Sequence, residues 1–589
     1  MAATTTTSNV TYNGSNVYID ALFWGGAWSS PGPGTLIEYF LQSGADPFNF
    51  NGITNAPAWS ASDIAALQAA MQTWMDVANI TFSLTNVAND ADIWYWQGPV
   101  NEVQALGWHE VPDTNSIEPL YGVFAFNADG WTPQGLQPGG YGFLTLVHEI
   151  GHGLGLAHPH DFGGNSGRFP GVTAEFDDYG DFNINQGIFT VQSYNDGWPT
   201  QYPQHSVANG FENYGYASTP MALDIAAIQA IYGANMNHNT GNDTYTLPDS
   251  NGSGTAWMSI WDAGGTDMIT AAGSTRDFTI DLRAATLVNE FAGGYVSFSD
   301  GIVGGLTIAN NVVIENARGG EGDDTINGND TANTLEGNGG GDSVSGLGGN
   351  DMLMGNAGDD MLQGGAGNDT LDGGAGGDAL DGGTGYDIAS YESATRSVRV
   401  DLQNPSISFG DAVGDSFMDI EEFQTGGGID QLRGDAGDNI FRTGGVSDRL
   451  YGRAGDDMLF GEAGADAFYG GLGADIMTAG DDAGRRDRFI YFNAAESGVG
   501  AGNRDVITDF VSGEDRIELS RIDADTTQGF KQAFTFVGSA AFSGTAGELR
   551  YEQSGGATIV QADRDGDGAA DFEIELTGTM TLQATDFLI

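Results

Sequence analysis

Residues 355–381 read GNAGDDMLQ GGAGNDTLD GGAGGDALD, three nonapeptides of the form Gly-Gly-x-Gly-x-Asp-x-apolar-x, with Asn356 in place of the second glycine of the first. The same period gives eight units over 319–390 and six more over 425–478. Glycine permits tight turns, the Asp carboxylate is a ligand for a hard cation, and the apolar residue can form a short strand. A fixed period over fourteen units therefore predicts a parallel β-roll that binds Ca²⁺ between its turns, and not a flexible linker.

The acidic position of the repeat supplies the predicted calcium ligands. Asn333 and Asn439 replace the acid in two units, so sites there should be weak or absent. Units at the ends of a block lack one neighbour, so fewer ions than repeats should bind. The predicted calcium ligands of the repeats are Asp324, Asp342, Asp351, Asp360, Asp369, Asp378, Asp387, Asp430, Asp448, Asp457, Asp466 and Asp475.

The charge and composition exclude several classes of function. Lys and Arg number 19 against 80 Asp and Glu, which gives a formal net charge of −61. Because nucleic acids and anionic membranes need basic surface, we expect the chain to bind neither. The chain contains no cysteine, so disulfides and thiolate metal sites are excluded and a zinc site must use His and carboxylate ligands.

The N-terminus, MAATTTT, has neither a basic nor an apolar region of the kind found in signal peptides. No run of 18 apolar residues is present, so membrane insertion is not expected. These features predict either a cytoplasmic protein or export by a route that needs no cleaved N-terminal signal.

A second motif, HEIGHGLGLAH, runs from His148 to His158 and matches H-E-x-x-H-x-x-G-x-x-H at every fixed position. On a helix, His148 and His152 lie one turn apart, so both imidazoles can bind one zinc ion. Gly155 can end the helix and allow His158 to enter as the third ligand. Glu149 is placed to accept a proton from water and not to bind the metal. Three protein ligands leave one position open, which is typical of a catalytic site.

Changes of pattern along the chain predict its domains. Apolar periodicity indicates helices over 62–77, 145–154 and 221–232, and residues 80–84 alternate like a strand. We expect, in chain order, a flexible N-terminus or propeptide remnant (1–16), an α/β catalytic domain (17–238), a β-rich junction (239–318), the first repeat block (319–390), a β-rich spacer (391–424), the second block (425–480) and a C-terminal β-rich cap (481–589).

A short acidic stretch near the C-terminus, DRDGDGAAD over Asp563 to Asp571, looks like the beginning of an EF-hand loop. Its twelfth position is Ile574 and not the bidentate Glu that such a loop requires. A polar hairpin is therefore the preferred interpretation. The other histidines, among them His160 close to the zinc motif, are interpreted as surface or structural residues.

At the level of these motifs the sequence resembles the serralysins, secreted bacterial zinc metalloproteases of the metzincin type. The resemblance covers nearly the whole chain and includes Pro159 directly after the third histidine. It implies an α+β protein in which an N-terminal metzincin domain precedes a C-terminal parallel β-roll of RTX repeats and a β-rich cap. The stretches that carry it are Gly142 to Pro159, Asp224 to Gln229, Tyr232 to Asn235, Trp261 to Asp267 and Phe542 to Ile589.

The resemblance also implies further site residues. A metzincin carries a Met-Ser-Tyr turn beneath the zinc, and the matching run here ends at Ser193-Tyr194. Tyr194 is therefore expected to be catalytic and to ligate zinc or stabilise the oxyanion. Gln192 occupies the Met position, where a buried amide would need partners. Further calcium ligands implied near the junction are Asp262, Gly264, Gly265, Asp267 and Glu315.

The resemblance implies a monomer that acts on protein or peptide substrates and meets a small protein inhibitor. It also implies an extracellular bacterial protein, exported by a type I ABC secretion apparatus that reads an uncleaved C-terminal signal ending at Ile589. Calcium linkage agrees with this, because the repeats should stay unfolded at low cytosolic calcium and fold outside the cell. The alternative is a calcium-dependent surface or adhesive protein with an inactive or weakly active metzincin domain, an interpretation that Gln192 and the long repeat region favour.

Overall fold

The structure is a computed structural model that describes residues 6–9, 16–29, 34–44, 56–112, 119–128, 130–164, 166–196, 198, 213–480 and 484–589. Most of the predicted flexible N-terminus, 1–16, lies outside these residues. The chain divides into two compact units, Met1–Gly328 and Asn329–Ile589. None of the helices in the described part is long and apolar enough to cross a membrane.

Five helices are present in the described part of the first unit, and three of them were predicted. Helix α4 begins four residues earlier than the periodicity indicates, because Tyr141 packs its ring against Tyr216 with 4.9 Å between centroids. Such a contact between distant residues leaves no trace in the local pattern. The helices are α1 (Val17–Ala21), α2 (Ala61–Val77), α3 (Val100–Val103), α4 (Tyr141–Gly153) and α5 (Ala222–Tyr232).

Helix α2 illustrates how local sequence and burial act together. The Ser60 side chain accepts the Asp63 amide N–H, while the Asp63 carboxylate accepts the Ser60 N–H, so a capping box begins the helix. Leu67 and Trp74 lie on its buried face. The Trp74 indole N–H donates to the Val147 carbonyl at 3.1 Å and so attaches α2 to α4.

A five-stranded sheet lies in the same unit. Four strands are parallel, and the strand at one edge runs antiparallel to its neighbour. The central strand is buried along its whole length, which fits a parallel sheet covered on both faces. In spatial order the strands are Ile80–Leu84, Thr35–Leu41, Ile93–Gly98, Leu120–Ala125 and Gly107–His109.

The other strands of the first unit are short, and most of them lie in the predicted β-rich junction, 239–318. The first two, Thr6–Asn9 and Gly26–Ser29, pair antiparallel with each other. The later ones are Thr244–Thr246, Trp257–Ile260, Met268–Thr270, Phe278–Asp281, Ser297–Ser299, Gly305–Ile308, Asn316–Arg318 and Thr325–Asn327.

The second unit contains the predicted parallel roll. Strands pair in register with those two repeats away, so that Leu353 lies beside Leu371 in one sheet and Leu362 beside Leu380 in the other. All fourteen predicted apolar positions, from Ile326 to Met477, are buried. The nine-residue period therefore places every second repeat in the same sheet and all the apolar side chains inside.

The spacer interrupts only one of the two sheets. Strand Glu422–Thr425 pairs with Ile388–Tyr391 on one side and Ile440–Arg442 on the other, so the first sheet is continuous. The second sheet ends at Ser416–Met418, and a third begins at Arg399–Asp401. Buried Asp401 there receives two hydrogen bonds from Arg453, at 2.9 and 2.8 Å.

The strands of the second unit fall into three series. The first is Thr334–Gly339, Met352–Ala357, Thr370–Ala375, Ile388–Tyr391, Glu422–Thr425, Ile440–Arg442, Met458–Phe460, Ile476–Thr478 and Asp505–Ile507, followed by the cap strands Phe572–Thr577, Ala557–Asp563, Glu548–Ser554 and Thr535–Phe536. The second is Ser343–Gly348, Met361–Ala366, Ala379–Thr384 and Ser416–Met418. The third is Arg399–Asp401, Gln431–Arg433, Arg449–Ala454, Ala467–Leu472, Arg488–Ile490, Arg516–Glu518 and Phe587–Leu588.

The acidic stretch near the C-terminus forms the predicted polar hairpin. It joins Ala557–Asp563 to Phe572–Thr577, which pair antiparallel. The two carboxylate oxygens of Asp563 accept the Gly566 and Gly568 amides at 2.7 and 2.9 Å, so this side chain serves the turn.

Val446 occupies a strained position of the second repeat block. Its φ is 83°, whereas the matching residues of the three later units are the glycines Gly455, Gly464 and Gly473, of which Gly455 and Gly473 also have a positive φ. The left-handed region costs a side-chain-bearing residue about 1–2 kcal/mol, and a β-branched one most of all. We therefore expect Val446→Gly to stabilise the second unit by about 1 kcal/mol, seen as a higher denaturation midpoint in saturating calcium.

Ser447→Gly, at the next residue, is the matched control, since Ser447 has no positive φ. It should leave the midpoint unchanged or lower it slightly, because glycine adds only freedom to the unfolded chain. A midpoint that falls in Val446→Gly would contradict the prediction.

Candidate metal centre

The zinc motif folds as the spacing predicts, with His148 and His152 one turn apart on α4. Helix α4 ends at Gly153, and Gly155 follows with φ 108°. A Cβ on Gly155 would lie 2.4 Å from the Gly26 carbonyl oxygen, so this position requires glycine. The turn brings His158 back to the other two histidines.

The three Nε2 atoms converge on one point. They lie 3.1 Å (His148 to His152), 3.0 Å (His152 to His158) and 3.2 Å (His148 to His158) apart. Tetrahedral zinc with bonds of ~2.0–2.1 Å places its ligand atoms about 3.3 Å apart. The donor set and its spacing therefore fit a zinc ion.

The opposite ring nitrogens fix the tautomers. The His148 Nδ1–H donates to the Val191 carbonyl at 2.7 Å, and the His152 Nδ1–H donates to the Leu156 carbonyl at 2.8 Å. Since a carbonyl can only accept, both Nε2 atoms keep a free lone pair. Burial, reinforced by the neighbouring His158, lowers the pKa of His148 to about 3, so this ring is neutral, the form that binds metal.

Asp161 is a site residue that the sequence analysis missed. Its carboxylate lies 2.6 Å from the His158 Nδ1 and orients that ring. His160 also lies closer to the site than expected, with its ring 4.9 Å from that of His158 and nearly parallel to it. The sequence signal that could have identified Asp161 is its position three residues after His158, the third histidine of the motif.

Glu149 lies beside His148 in a buried setting. Its Oε2 has no hydrogen-bond partner among the described residues, and burial raises the pKa of the carboxyl to about 8. Gly107 lies opposite, where a Cβ would come within 2.9 Å of the Glu149 Cγ. The Glu149 carboxylate thus has space around it and an oxygen with no partner among the described residues, so it can accept a proton.

Tyr194 lies against the histidine cluster. Its ring centroid is 4.7 Å from that of His158 and 5.8 Å from that of His148. Burial, and then the negative charge of Glu149, raise the pKa of its hydroxyl above the usual value. The phenol therefore keeps its proton and can donate a hydrogen bond in the site.

Gln192 lies beneath α4, and its amide is buried, as predicted for this position. Its Nε2 donates to the His148 carbonyl at 3.1 Å, but its Oε1 has no partner among the described residues. Asp224 of α5 fixes this segment by accepting the Val191 N–H at 2.7 Å and the Thr190 hydroxyl at 2.6 Å.

Replacing Gln192 by Met should stabilise the protein. The change removes an unpartnered buried oxygen, which costs about 1–3 kcal/mol, and keeps the side-chain length. We expect a rise in Tm of a few degrees in zinc-loaded protein, measured by scanning calorimetry. Gln229→Met is the control, because the Gln229 amide donates to the Val77 carbonyl and its loss should lower the Tm. A lower Tm in Gln192→Met would contradict the prediction.

Of the predicted junction ligands, Asp262 and Asp267 come together. Each places a carboxylate oxygen within 4.8 Å of the other and of Asp243, which the sequence analysis missed. Gly264 donates its N–H to Asp262 at 2.9 Å, and Glu315 accepts the Asp267 N–H at 2.8 Å. Gly265 follows in the same turn. No local pattern marks Asp243, because a turn of the fold brings it there.

The repeat carboxylates form a ladder. Most accept the backbone N–H of the residue two repeats earlier, as Asp360 does from Asp342 at 2.7 Å and Asp369 from Asp351 at 2.8 Å, whereas Asp430 accepts the Val398 N–H at 2.7 Å. The second oxygen is buried and has no partner in the described part of the chain in Asp351, Asp360, Asp369, Asp378, Asp387, Asp448, Asp457 and Asp475. This row of inward-facing oxygens fits bound Ca²⁺.

Three repeat positions differ from the rest of the ladder. Asp324 uses both oxygens for backbone amides, those of Phe278 at 2.7 Å and Gly320 at 2.6 Å. Asn439 accepts the Asp435 N–H at 3.1 Å and carries no charge. Asn333 likewise accepts the Asn329 N–H at 2.8 Å. These three positions therefore offer weaker ligands to a cation than the other repeat positions do, and weak or absent calcium sites at the two Asn residues stay a prediction.

The ladder continues beyond the repeats, which the sequence analysis did not find. Asp415 accepts the Asp378 N–H at 2.9 Å, and Asp505 accepts the Asp475 N–H at 3.0 Å. These partners are 37 and 30 residues apart and not 18. An insertion changes the spacing in sequence while the spacing in the roll stays the same.

Comparison with known proteins agrees with a metal-binding β-roll protein. Residues 222–589, more than half of the chain, match the family described as Peptidase M10 serralysin C terminal. The chain belongs to the serralysin family.

Individual relatives match over part of their length. Metallopeptidase AprA of Pseudomonas marginalis is 32% identical over 308 residues, which cover 50% of this chain and 60% of that protein. Serralysin G of Dickeya chrysanthemi is 34% identical over 353 residues, covering 55% and 63%. The chain thus spans less than two thirds of these relatives. Among solved structures, the AlgE6R3 subunit of the Azotobacter vinelandii mannuronan C5-epimerase covers 26% of this chain and 80% of that one, with 23% identity and a TM-score of 0.20.

Proposed function

We propose that this protein is a secreted zinc endopeptidase that hydrolyses peptide bonds of extracellular proteins and is stabilised by calcium. The observation that carries the proposal is the convergence of three imidazole Nε2 atoms beside the buried Glu149, whose Oε2 has no partner among the described residues. We assign 17–238 to a catalytic domain of the metzincin type and the later part to the junction, roll and cap. The names of the relatives, metallopeptidase and serralysin, support the proposed protease function.

The residues of the site have distinct roles. His148, His152 and His158 would hold the zinc, which when bound polarises a peptide carbonyl and acidifies water. Glu149 accepts a proton from the attacking water and passes it to the nitrogen of the leaving amine. The Tyr194 hydroxyl donates a hydrogen bond to the carbonyl oxygen as negative charge develops there.

Calcium binding links folding to location. With the ladder carboxylates unneutralised, the second unit lacks its main stabilising interactions, so the chain stays export-competent at low calcium. We propose export by a type I ABC apparatus that reads the C-terminal signal, and a monomeric extracellular enzyme that meets protein substrates and a small protein inhibitor.

A second candidate is a calcium-dependent surface or adhesive protein with an inactive site. The Oε1 of Gln192, which has no partner among the described residues, favours it, because an unsatisfied amide beneath the histidine cluster can weaken metal binding.

Casein hydrolysis by the zinc- and calcium-loaded protein separates the two candidates. We expect activity that a zinc-selective chelator removes and added zinc restores, with calcium kept saturating throughout. Metal analysis by mass spectrometry should give one zinc per chain. A protein that binds one zinc and calcium but cleaves no protein substrate would favour the adhesive candidate.

A further inference from the structure

A cavity of about 510 Å³ opens beside the histidine cluster. His148, Glu149 and Tyr194 form one side of it, and Leu106 and Leu144 contribute apolar wall. A cavity of this volume can take a long side chain of a substrate whose peptide bond lies at Glu149. The chemistry of the residues that line the cavity then decides which substrate side chain fits best.

Asp196 is the other acidic residue of this wall. Among the described residues, its carboxylate has no hydrogen-bond donor and no basic neighbour. Two other acids of the first unit differ from Asp196 in this respect. Asp224 accepts hydrogen bonds from Thr190, Val191 and Met221, and Asp178 accepts four.

The chain has almost no internal counter-charge for Asp196. Residues 1–275 contain 25 Asp and Glu but a single basic residue of the Lys or Arg type, Arg168. That guanidinium donates to the His160 and Thr173 carbonyls and lies 4.4 Å over the Phe162 ring. The structure describes only residue 198 of the segment 197–212, and this segment contains no Lys or Arg.

A secluded carboxylate without a donor is costly, and a cationic side chain removes that cost. A guanidinium supplies both the charge and two parallel N–H donors, whereas an ammonium supplies the charge and single donors. Neutral side chains leave the carboxylate unpaired, and acidic ones repel it.

We propose that Asp196 is a specificity-determining residue that selects substrates presenting an Arg or Lys side chain to this cavity. The proposal rests on the endopeptidase function proposed above and names its substrate class. The acidity of the whole first unit acts in the same direction, since it attracts cationic peptides at long range.

The test uses peptides in which one position, from three before to three after the scissile bond, holds either Arg or citrulline, its neutral isostere. With the full-length, zinc- and calcium-loaded protein at pH 8, we expect kcat/KM for Arg to exceed that for citrulline about tenfold or more at one position. Asp196→Asn should reduce this ratio to about one, and Asp196→Glu should restore part of it. Glu175→Gln, which removes an exposed acid near Tyr194, should keep the ratio.

Two results would overturn the proposal: equal rates for Arg and citrulline at every position, or an Arg preference that persists in Asp196→Asn. A binding measurement separates this from failure of the proposed function. In Glu149→Gln protein, calorimetry should show the Arg peptide binding about tenfold more tightly than the citrulline peptide, and Asp196→Asn should abolish the difference. Binding without that difference overturns the role of Asp196, whereas absent hydrolysis by the unsubstituted protein with the difference intact overturns only the endopeptidase function.

Discussion

We expect Glu149→Gln to lower kcat/KM for peptide hydrolysis by about 10³-fold or more while the fold and the bound zinc are retained. The reason is that Gln keeps the shape of the side chain but cannot accept the proton that the attacking water must lose, and general base catalysis contributes ~10²–10⁴-fold. The Glu149 carboxylate has an unpartnered oxygen and a raised pKa of about 8, so it suits this role. Peptide hydrolysis rates and zinc content, measured on the same sample, check the prediction.

Glu175→Gln is the matched control for a general loss of negative charge, because Glu175 is exposed near the site. Its rate should fall by less than about threefold, since an exposed charge acts weakly through water. Glu149→Gln protein that retains its activity would refute the proposed mechanism, and a variant that lost zinc would assign Glu149 to metal binding instead.

Removing calcium from the full-length protein should unfold the second unit. In the described part of this unit at least eight buried Asp side chains each have an oxygen without a protein partner, and several of them lie close enough to repel one another. Each bound ion, at a free calcium concentration of ~100 times its Kd, adds about 2.7 kcal/mol to the free energy of unfolding. The loss of several ions therefore exceeds the usual stability of a domain. We expect loss of β-sheet circular dichroism and a larger radius in X-ray scattering, both reversed by Ca²⁺.

Magnesium should not restore the fold, because it dehydrates reluctantly and requires an octahedral site. Asp360→Asn, which removes one charge from the ladder, should raise the calcium concentration at the folding midpoint. Glu514→Gln, at an exposed position of the same unit, should leave it unchanged. A second unit that stays folded without calcium would contradict the proposed role of the ladder.

The local motifs could be predicted from sequence because their geometry is local. One helical turn separates His148 from His152 whatever the rest of the fold, and a nine-residue period places Leu353 and Leu371 in the same sheet. Asp243, Asp415 and Asp505 could not be found in this way. They join their clusters from distant or irregular positions in the chain, so that no fixed spacing marks them.

The sequence by itself thus determined the histidine cluster, the position of Glu149 beside it and the inward-facing rows of the roll, since each depends only on helical or repeat periodicity. The tertiary structure alone decided what surrounds them. It placed the Val191 carbonyl behind His148 and left the Gln192 Oε1 beneath the cluster without a partner among the described residues. It also put Asp196 in the cavity wall, where no described residue donates a hydrogen bond to it. These arrangements depend on contacts between segments far apart in the chain, and their energies arise only when folding removes water from between those segments.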